Sequence, residues 1–157
     1  MADVTDADSL GSLIAAGSRE RLDLVEAFDE IDSTNSYLLA EEPPAPGRFR
    51  VAFANHQTAG RGRLGRHWRS PPGSGICLSM SYTFERKPNN PDCLTLSIGV
   101  GLAQALQQLG AIGIELKWPN DLIVNRRKLG GILTEIHPAK SDCVTVVAGL
   151  GLNVELN

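Results

Sequence analysis

From Ile76 to Phe84 the large apolar side chains Ile76, Leu78, Met80, Tyr82 and Phe84 alternate with Cys77, Ser79, Ser81 and Thr83. Alternation with period two predicts a strand with two unlike faces. The large residues are expected to form the core face, and the small ones to leave room for a helix or a ligand. Leu22 to Ile31 alternates less regularly and also reads as a strand. Asp32-Ser33-Thr34-Asn35 then offers capping side chains for a short helix running through Tyr37 to Ala40. Capping alone would account for Ser33, Thr34 and Asn35. After the proline-broken stretch from Glu41 to Gly47, the residues Phe49, Val51 and Phe53 predict another strand.

The clearest helical period lies in the middle of the chain. Asn90, Pro91 and Asp92 suit a helix start, Leu94, Ile98, Leu102, Ala105, Leu106 and Leu109 form an apolar stripe, and Gly110 ends it. Gly99 and Gly101 each cost about 1 kcal/mol in a helix, so close packing against a sheet is the expected compensation. The last third reads as strands. Ile114 to Trp118 alternates, which should put Lys117 and Trp118 on opposite faces, and Asn120-Asp121 connects to Leu122-Ile123-Val124. Asn125-Arg126-Arg127 is a hairpin tip, and Lys128 to Ile136 returns with Gly130 and Gly131 marking a bulge or the close approach of a ligand. A last apolar run, Cys143 to Gly149, leads into Leu150 to Val154. Residues 1–21 are polar, with room for one helical turn, and should fray.

Composition adds bounds rather than detail. A chain of 157 residues with 42% hydrophobic and 21% charged residues has the length and make-up of one ordinary globular domain. No apolar run is long enough to span a membrane, and the acidic start MADVTDADSL is unlike a secretory signal. Cys77, Cys93 and Cys143 are odd in number and lack metal-site spacing, so they read as small core residues in a reducing, cytoplasmic setting. His56 has no second His or Cys at ligand spacing.

Charge changes the picture at one place. The formal net charge is -3, yet Gly60 to Arg69 carries Arg61, Arg63, Arg66 and Arg69 among Gly60, Gly62 and Gly65. Guanidinium forks match carboxylate and phosphate oxygens, and glycines permit unusual φ values, so the stretch reads as an anion clamp. Its letters also fit the dinucleotide fingerprint G-x-G-x-x-G. That motif must open a helix, which Pro71 and Pro72 would stop. A nucleic-acid loop usually sits on a basic domain, whereas the pI here is about 5.6. A merely solvated basic loop remains as the bland reading, and pattern alone goes as far as an anion-binding α/β domain.

Four motifs in fixed order carry the reading further: IDSTN at 31–35, HQTAGRGRLGRHW at 56–68, KWPND at 117–121 running on to KLGGILTE at 128–135, and GLGLNV at 149–154. Together they resemble the catalytic domain of the biotin protein ligases, within the biotin/lipoate ligase superfamily. The resemblance implies an α+β fold, a mixed, largely antiparallel sheet packed against helices and related to class II aminoacyl-tRNA synthetase cores. It implies one catalytic domain over residues 22–157, without an N-terminal helix-turn-helix domain or a C-terminal β-barrel, and so no expected DNA binding. It further implies ATP-dependent activation of biotin to biotinyl-5′-AMP and transfer to a lysine of a biotin carboxyl carrier protein, with Mg²⁺ as the metal. A homodimer is compatible with it.

Carried over by position, the resemblance implies that Ser33, Thr34, Asn35 and Gln57 hold the biotin ring system. Gly60, Arg61, Gly62 and Arg63 would fold over biotin and the adenylate, with Lys128 and Gly131 beside the reacting groups. Arg61, Arg63 and Lys128 would be the catalytic cations, while Arg63, Trp68, Lys117, Asn120 and Asn153 would serve ATP. The chemistry needs positioned cations rather than a nucleophilic side chain, because the biotin carboxylate and the carrier lysine are themselves the nucleophiles. A clamp would also shield a mixed anhydride from water, ordering when loaded. Two rivals share parts of this reading: a lipoate or other acyl protein ligase, and a truncated biotin-binding module without full ligase activity.

Overall fold

The computed structural model describes residues 6–90, 93–138 and 143–154. Seven strands form one sheet in the order β1-β2-β3-β7-β6-β5-β4. The strands are β1 (Leu22–Ile31), β2 (Phe49–Gln57), β3 (Gly75–Phe84), β4 (Ile114–Lys117), β5 (Asp121–Val124), β6 (Arg127–Pro138) and β7 (Val144–Asn153). β1 and β2 pair in parallel and every other neighbouring pair is antiparallel, as the expected mixed sheet requires.

Two short helices, α1 (Ala7–Leu13) and α2 (Ala16–Arg19), occupy the stretch for which the sequence allowed one turn. Asp6 accepts the Ser9 amide and caps α1. Pro91 and Asp92, the expected first turn of the central helix, lie outside the described residues. That helix, α4, runs from Leu94 to Gln108, and Gly110 follows at φ +92°, the left-handed end a glycine permits. Its buried line passes through Gly99 and Ala103, so Ala105 and Leu109 of the expected stripe face solvent instead. A Cβ on Gly99 would come within 3.1 Å of Leu116, whereas Gly101 has open space around it. Close packing therefore compensates one of the two helical glycines.

The β3 alternation is real and its small-residue face takes a helix, as expected, but that face is the more deeply buried of the two. Cys77, Ser79, Ser81 and Thr83 are the buried set, and Met80 on the opposite face is exposed. The reason is α3 (Thr34–Ala40), whose first turn lies directly on the small residues, with Thr34 Oγ1 2.7 Å from Ser79 Oγ. Ser33 caps α3, Leu38 packs on Ala52 and Val147, and the Tyr37 hydroxyl donates to Glu26 Oε2 at 2.6 Å. Burial, together with that carboxylate, pushes the Tyr37 hydroxyl up to about 12. α4 contacts Ile132 and Thr134 of β6, while α3 contacts Leu133 and Glu135. Successive residues of a strand point to opposite faces, so the two helices cover opposite sides of the sheet.

Val124 and Arg127 are joined through Asn125 and Arg126 at φ 50° and 62°, a two-residue hairpin rather than the three-residue tip expected. The glycine signal in β6 marks a bulge: Leu122 faces Gly130 while Ile123 faces Lys128, leaving Leu129 as the extra residue. Of the cysteines, Cys77 is buried, Cys93 is exposed and Cys143 is half-buried, so one of the three is a core residue. The core under α4 gathers Ala103, Ile114, Leu122 and Leu152, and Leu122 has no exposed surface. Leu122→Ala is expected to cost about 3 kcal/mol of unfolding free energy in a urea titration. A loss below about 1 kcal/mol would mean that this part of the core can collapse around the missing atoms.

Candidate functional site

The strand ends of β2, β4 and β6 converge with the start of α3 around a cavity of about 510 Å³. Its wall includes Ser33, Thr34 and Asn35 from α3 and its cap, and Gln57 from the end of β2. Arg61, Gly62, Arg63 and Trp68 come from the arginine loop, and Lys117, Asn120, Lys128 and Gly131 from the β4–β6 side. Two expected residues stand behind the wall. Gly60 lies under Trp68, where a Cβ would fall 2.5 Å from the Trp68 carbonyl oxygen. Asn153 Nδ2 donates to the Lys128 carbonyl at 3.3 Å and so holds the strand bearing Lys128.

The loop is a folded excursion tied at its base. The Trp68 amide donates to the Gly60 carbonyl at 2.8 Å, and the Gly62 amide donates to the Arg66 carbonyl at 2.7 Å. The expected role of its glycines is corrected in part. Positive φ is used at Leu64 and Gly65, whereas Gly60 is needed for close approach and Gly62 is extended. His56 Nδ1 lies 2.7 Å from the Ser70 carbonyl and braces the same base. Lys117 and Trp118, expected on opposite faces, both line the cavity because β4 ends at Lys117 and alternation stops there. Trp118 is 81% exposed and Leu64 87%, so the cavity mouth carries apolar surface on both sides.

Beneath the wall runs a buried polar network. The Thr34 amide donates to Gln57 Oε1 at 2.8 Å, Thr34 Oγ1 meets Ser79 Oγ, and Ser79 Oγ donates to Asn35 Oδ1 at 2.6 Å. Thr34 and Asn35 are 3% exposed and Ser79 not at all, so these groups must satisfy one another. Ser79 was missing from the sequence-based set; its place on the small-residue face of β3 was the signal. Cys77 sits beside Gln57, Ser70 and Trp68, and burial raises its thiol pKa, which keeps it neutral and unreactive.

Arg61 and Lys128 of the cavity wall are each paired with a carboxylate. Lys128 Nζ donates to Asp121 Oδ1 at 2.8 Å, and Arg61 pairs with Glu135. The side chains of Lys128 and Arg61 are 46% and 40% exposed, so these pairs are in reach of solvent and open to exchange. Neither Asp121 nor Glu135 was among the expected site residues. Lys128 Nζ also lies 5.6 Å from the centre of the Trp68 ring. The arrangement suits a ligand with an anionic centre near Lys128 and the arginines, and polar groups near α3. Among the described residues no three His, Cys, Asp or Glu side chains gather as a metal site.

Comparison with known proteins agrees with this geometry. Residues 27–153 match the model of the biotin/lipoate A/B protein ligase family. The chain belongs to this family. It is 42% identical over 135 residues to the bifunctional ligase/repressor BirA of Escherichia coli, an overlap of 84% of this chain and 41% of that protein. It is 38% identical over 148 residues to the biotin--[acetyl-CoA-carboxylase] ligase of Mycobacterium tuberculosis, covering 90% of this chain and 53% of the relative. The biotin protein ligase of Aquifex aeolicus in complex with biotin and ATP superposes with a TM-score of 0.65 at 33% identity, over 87% of this chain and 53% of that one. The chain thus spans about half the length of the relatives it matches.

Gly151 lies under the Trp68 indole, and a Cβ there would fall 2.2 Å from the ring. Gly151→Ala in a Trp118→Phe background should therefore expel the indole and move tryptophan emission to longer wavelength. Unchanged emission would show that Trp68 is not seated on β7.

Proposed function

We propose that this chain is the biotin-activating catalytic domain of a biotin protein ligase. It would form biotinyl-5′-AMP from biotin and ATP and pass the biotinyl group to a lysine of a biotin carboxyl carrier protein. The observation that carries the reading is the convergence of Arg61, Arg63 and Lys128 on one cavity with the Ser33–Asn35 and Gln57 network. The names of the relatives and the biotin and ATP bound to the Aquifex protein support it.

In this reading Ser33, Thr34, Asn35 and Gln57 face the ring system of biotin, whose urea needs fixed donors and acceptors. The biotin carboxylate lies toward Lys128, Arg61 and Arg63, with Gly131 leaving room for the Lys128 side chain, because a Cβ at that glycine would fall 3.3 Å from Lys128 Nζ. Lys117, Asn120 and Trp68 are placed for the nucleotide. A carboxylate oxygen attacks the α-phosphorus, the bond from that phosphorus to the bridging oxygen breaks, and pyrophosphate leaves with the electron pair. The carrier lysine amine then attacks the acyl carbon, loses a proton, and AMP departs. Lys128 and the arginines lower the repulsion between the two anions and bind charge that grows on the leaving oxygens.

Mg²⁺ binds through one or two carboxylates plus substrate phosphates rather than through a cage of protein ligands. Asp121, the carboxylate on the cavity wall beside Lys128, fits that requirement and would hold it. When bound, the ion would supply further charge compensation for the leaving pyrophosphate.

Incubation of the chain with biotin, MgATP and a carrier domain, followed by the mass of the carrier, tests the whole reading. Biotinylation of one lysine is expected; preference for lipoate over biotin would favour the other acyl ligase, and biotin binding without pyrophosphate release would favour a binding module. Lys128→Ala is expected to slow ATP–pyrophosphate exchange by about 10²-fold or more. Unchanged exchange would remove Lys128 from the reacting centre.

A further inference from the structure

We infer, resting on the ligase reading above, that Glu135 is a positioning residue for biotin: its carboxylate orients the Asn35 amide, and through it the Ser79 and Thr34 hydroxyls, behind the ring subsite. Glu135 Oε2 accepts from Asn35 Nδ2 at 2.9 Å and also from the Arg61 guanidinium. Asn35 Nδ2 donates in addition to the Leu133 carbonyl at 3.3 Å. Carboxylates and carbonyls only accept, so both amide hydrogens of Asn35 are committed to that side and Oδ1 must face the sheet.

The consequences run inward one bond at a time. Asn35 Oδ1 takes the single proton of Ser79 Oγ at 2.6 Å. Ser79 Oγ can then only accept, and the single Thr34 Oγ1 proton lies between Ser79 Oγ at 2.7 Å and Gln57 Oε1 at 3.1 Å. Gln57 Oε1 is held by the Thr34 amide at 2.8 Å, so the Gln57 amide nitrogen, beside the Cys77 thiol, is the donor end of that side chain. Asn35 occupies space that only glycine leaves, its Oδ1 lying 2.1 Å from where a Cβ on Gly149 would stand. The Leu133 carbonyl marks the same end of the chain at 3.3 Å, and the Glu135 carboxylate at 2.9 Å is the shorter, charged acceptor and so the stronger hold on the Asn35 amide.

The same oxygen places Arg61. The guanidinium rests on Glu135 rather than standing unpaired among the arginines of the loop. As a surface ion pair this contact contributes little to stability. Its effect is to keep the loop cation at the edge of the biotin subsite, with Asn35 and Arg61 sharing one acceptor.

Glu135→Gln keeps the shape but removes the charge, so Asn35 Nδ2 keeps the Leu133 carbonyl at 3.3 Å but loses its charged acceptor, and Arg61 is released from the same oxygen. Calorimetric biotin affinity is expected to fall by about 10-fold or more, the scale of one mispaired buried polar group. The KM for ATP in pyrophosphate exchange should stay within about 2-fold, since the Asp121–Lys128 side is untouched. Glu135→Asp keeps the charge one methylene short and is expected to show a smaller loss with the same selectivity for biotin; it also serves if the Gln variant does not fold. Unchanged biotin affinity in the folded variants, or equal weakening toward biotin and ATP, would overturn the role of Glu135. Absence of biotin binding in the unaltered chain would instead overturn the ligase reading itself.

Discussion

A hydroxyl with no exposed surface, Ser79 Oγ, organises the functional half of this fold. Buried polar atoms without partners cost about 1–3 kcal/mol each, so Ser79, Thr34 and Asn35 are stable only as a closed set. Closing the set demands that the first turn of α3 lie close to β3 and β7, and bulk at those positions would prevent it. The small residues of β3 and the absent Cβ of Gly149 are the means. The same closeness delivers Ser33, Thr34 and Asn35 to the cavity wall, so one packing requirement both stabilises the helix and builds the site.

Charge is handled differently from polarity. Hydroxyls and amides are buried and locked, whereas Arg61 and Lys128 remain about half exposed and rest on carboxylates. A deeply buried pair would bind too firmly to be exchanged, and an unpaired cation in the cavity would repel its neighbours. Exposed pairs worth about 1 kcal/mol or less can give way to a substrate carboxylate or phosphate at small cost. Arg61 and Lys128 are thus held at the cavity by carboxylates of the chain itself.

How much of this was legible follows from the range of each interaction. Period two located β3, and 3.6-residue spacing located α4, because both signals are local. The period could not say which β3 face is buried. That depended on Thr34, 45 positions away in sequence from Ser79. Glu135 escaped for the same reason, since its partners Arg61 and Asn35 are 74 and 100 residues distant. Asp121 stood inside the recognised KWPND stretch, yet its pairing with Lys128 needed the β5–β6 hairpin and its bulge. The arginine loop was legible as a cluster of charge, but the use of Gly60 for close approach appeared only once Trp68 was folded back over it.

The glycines of β6 and β7 tie these points together. Gly131 pairs with Gly151, and Gly151 pairs with Cys77, while Gly149 pairs with Ser79 and Leu133. Their registers place a strip of nearly bare backbone across the middle of the sheet, on the face that carries α3. Along such a strip a flat indole can rest on Gly151, an amide oxygen can approach Gly149, and the Lys128 side chain can cross Gly131. Each contact uses space that a Cβ would fill, so three unrelated groups are gathered by a single feature of the strands. Chain entropy and lost side-chain packing make glycine costly inside strands. That cost is intelligible here because the strip is what lets ring, cation and loop meet in one cavity.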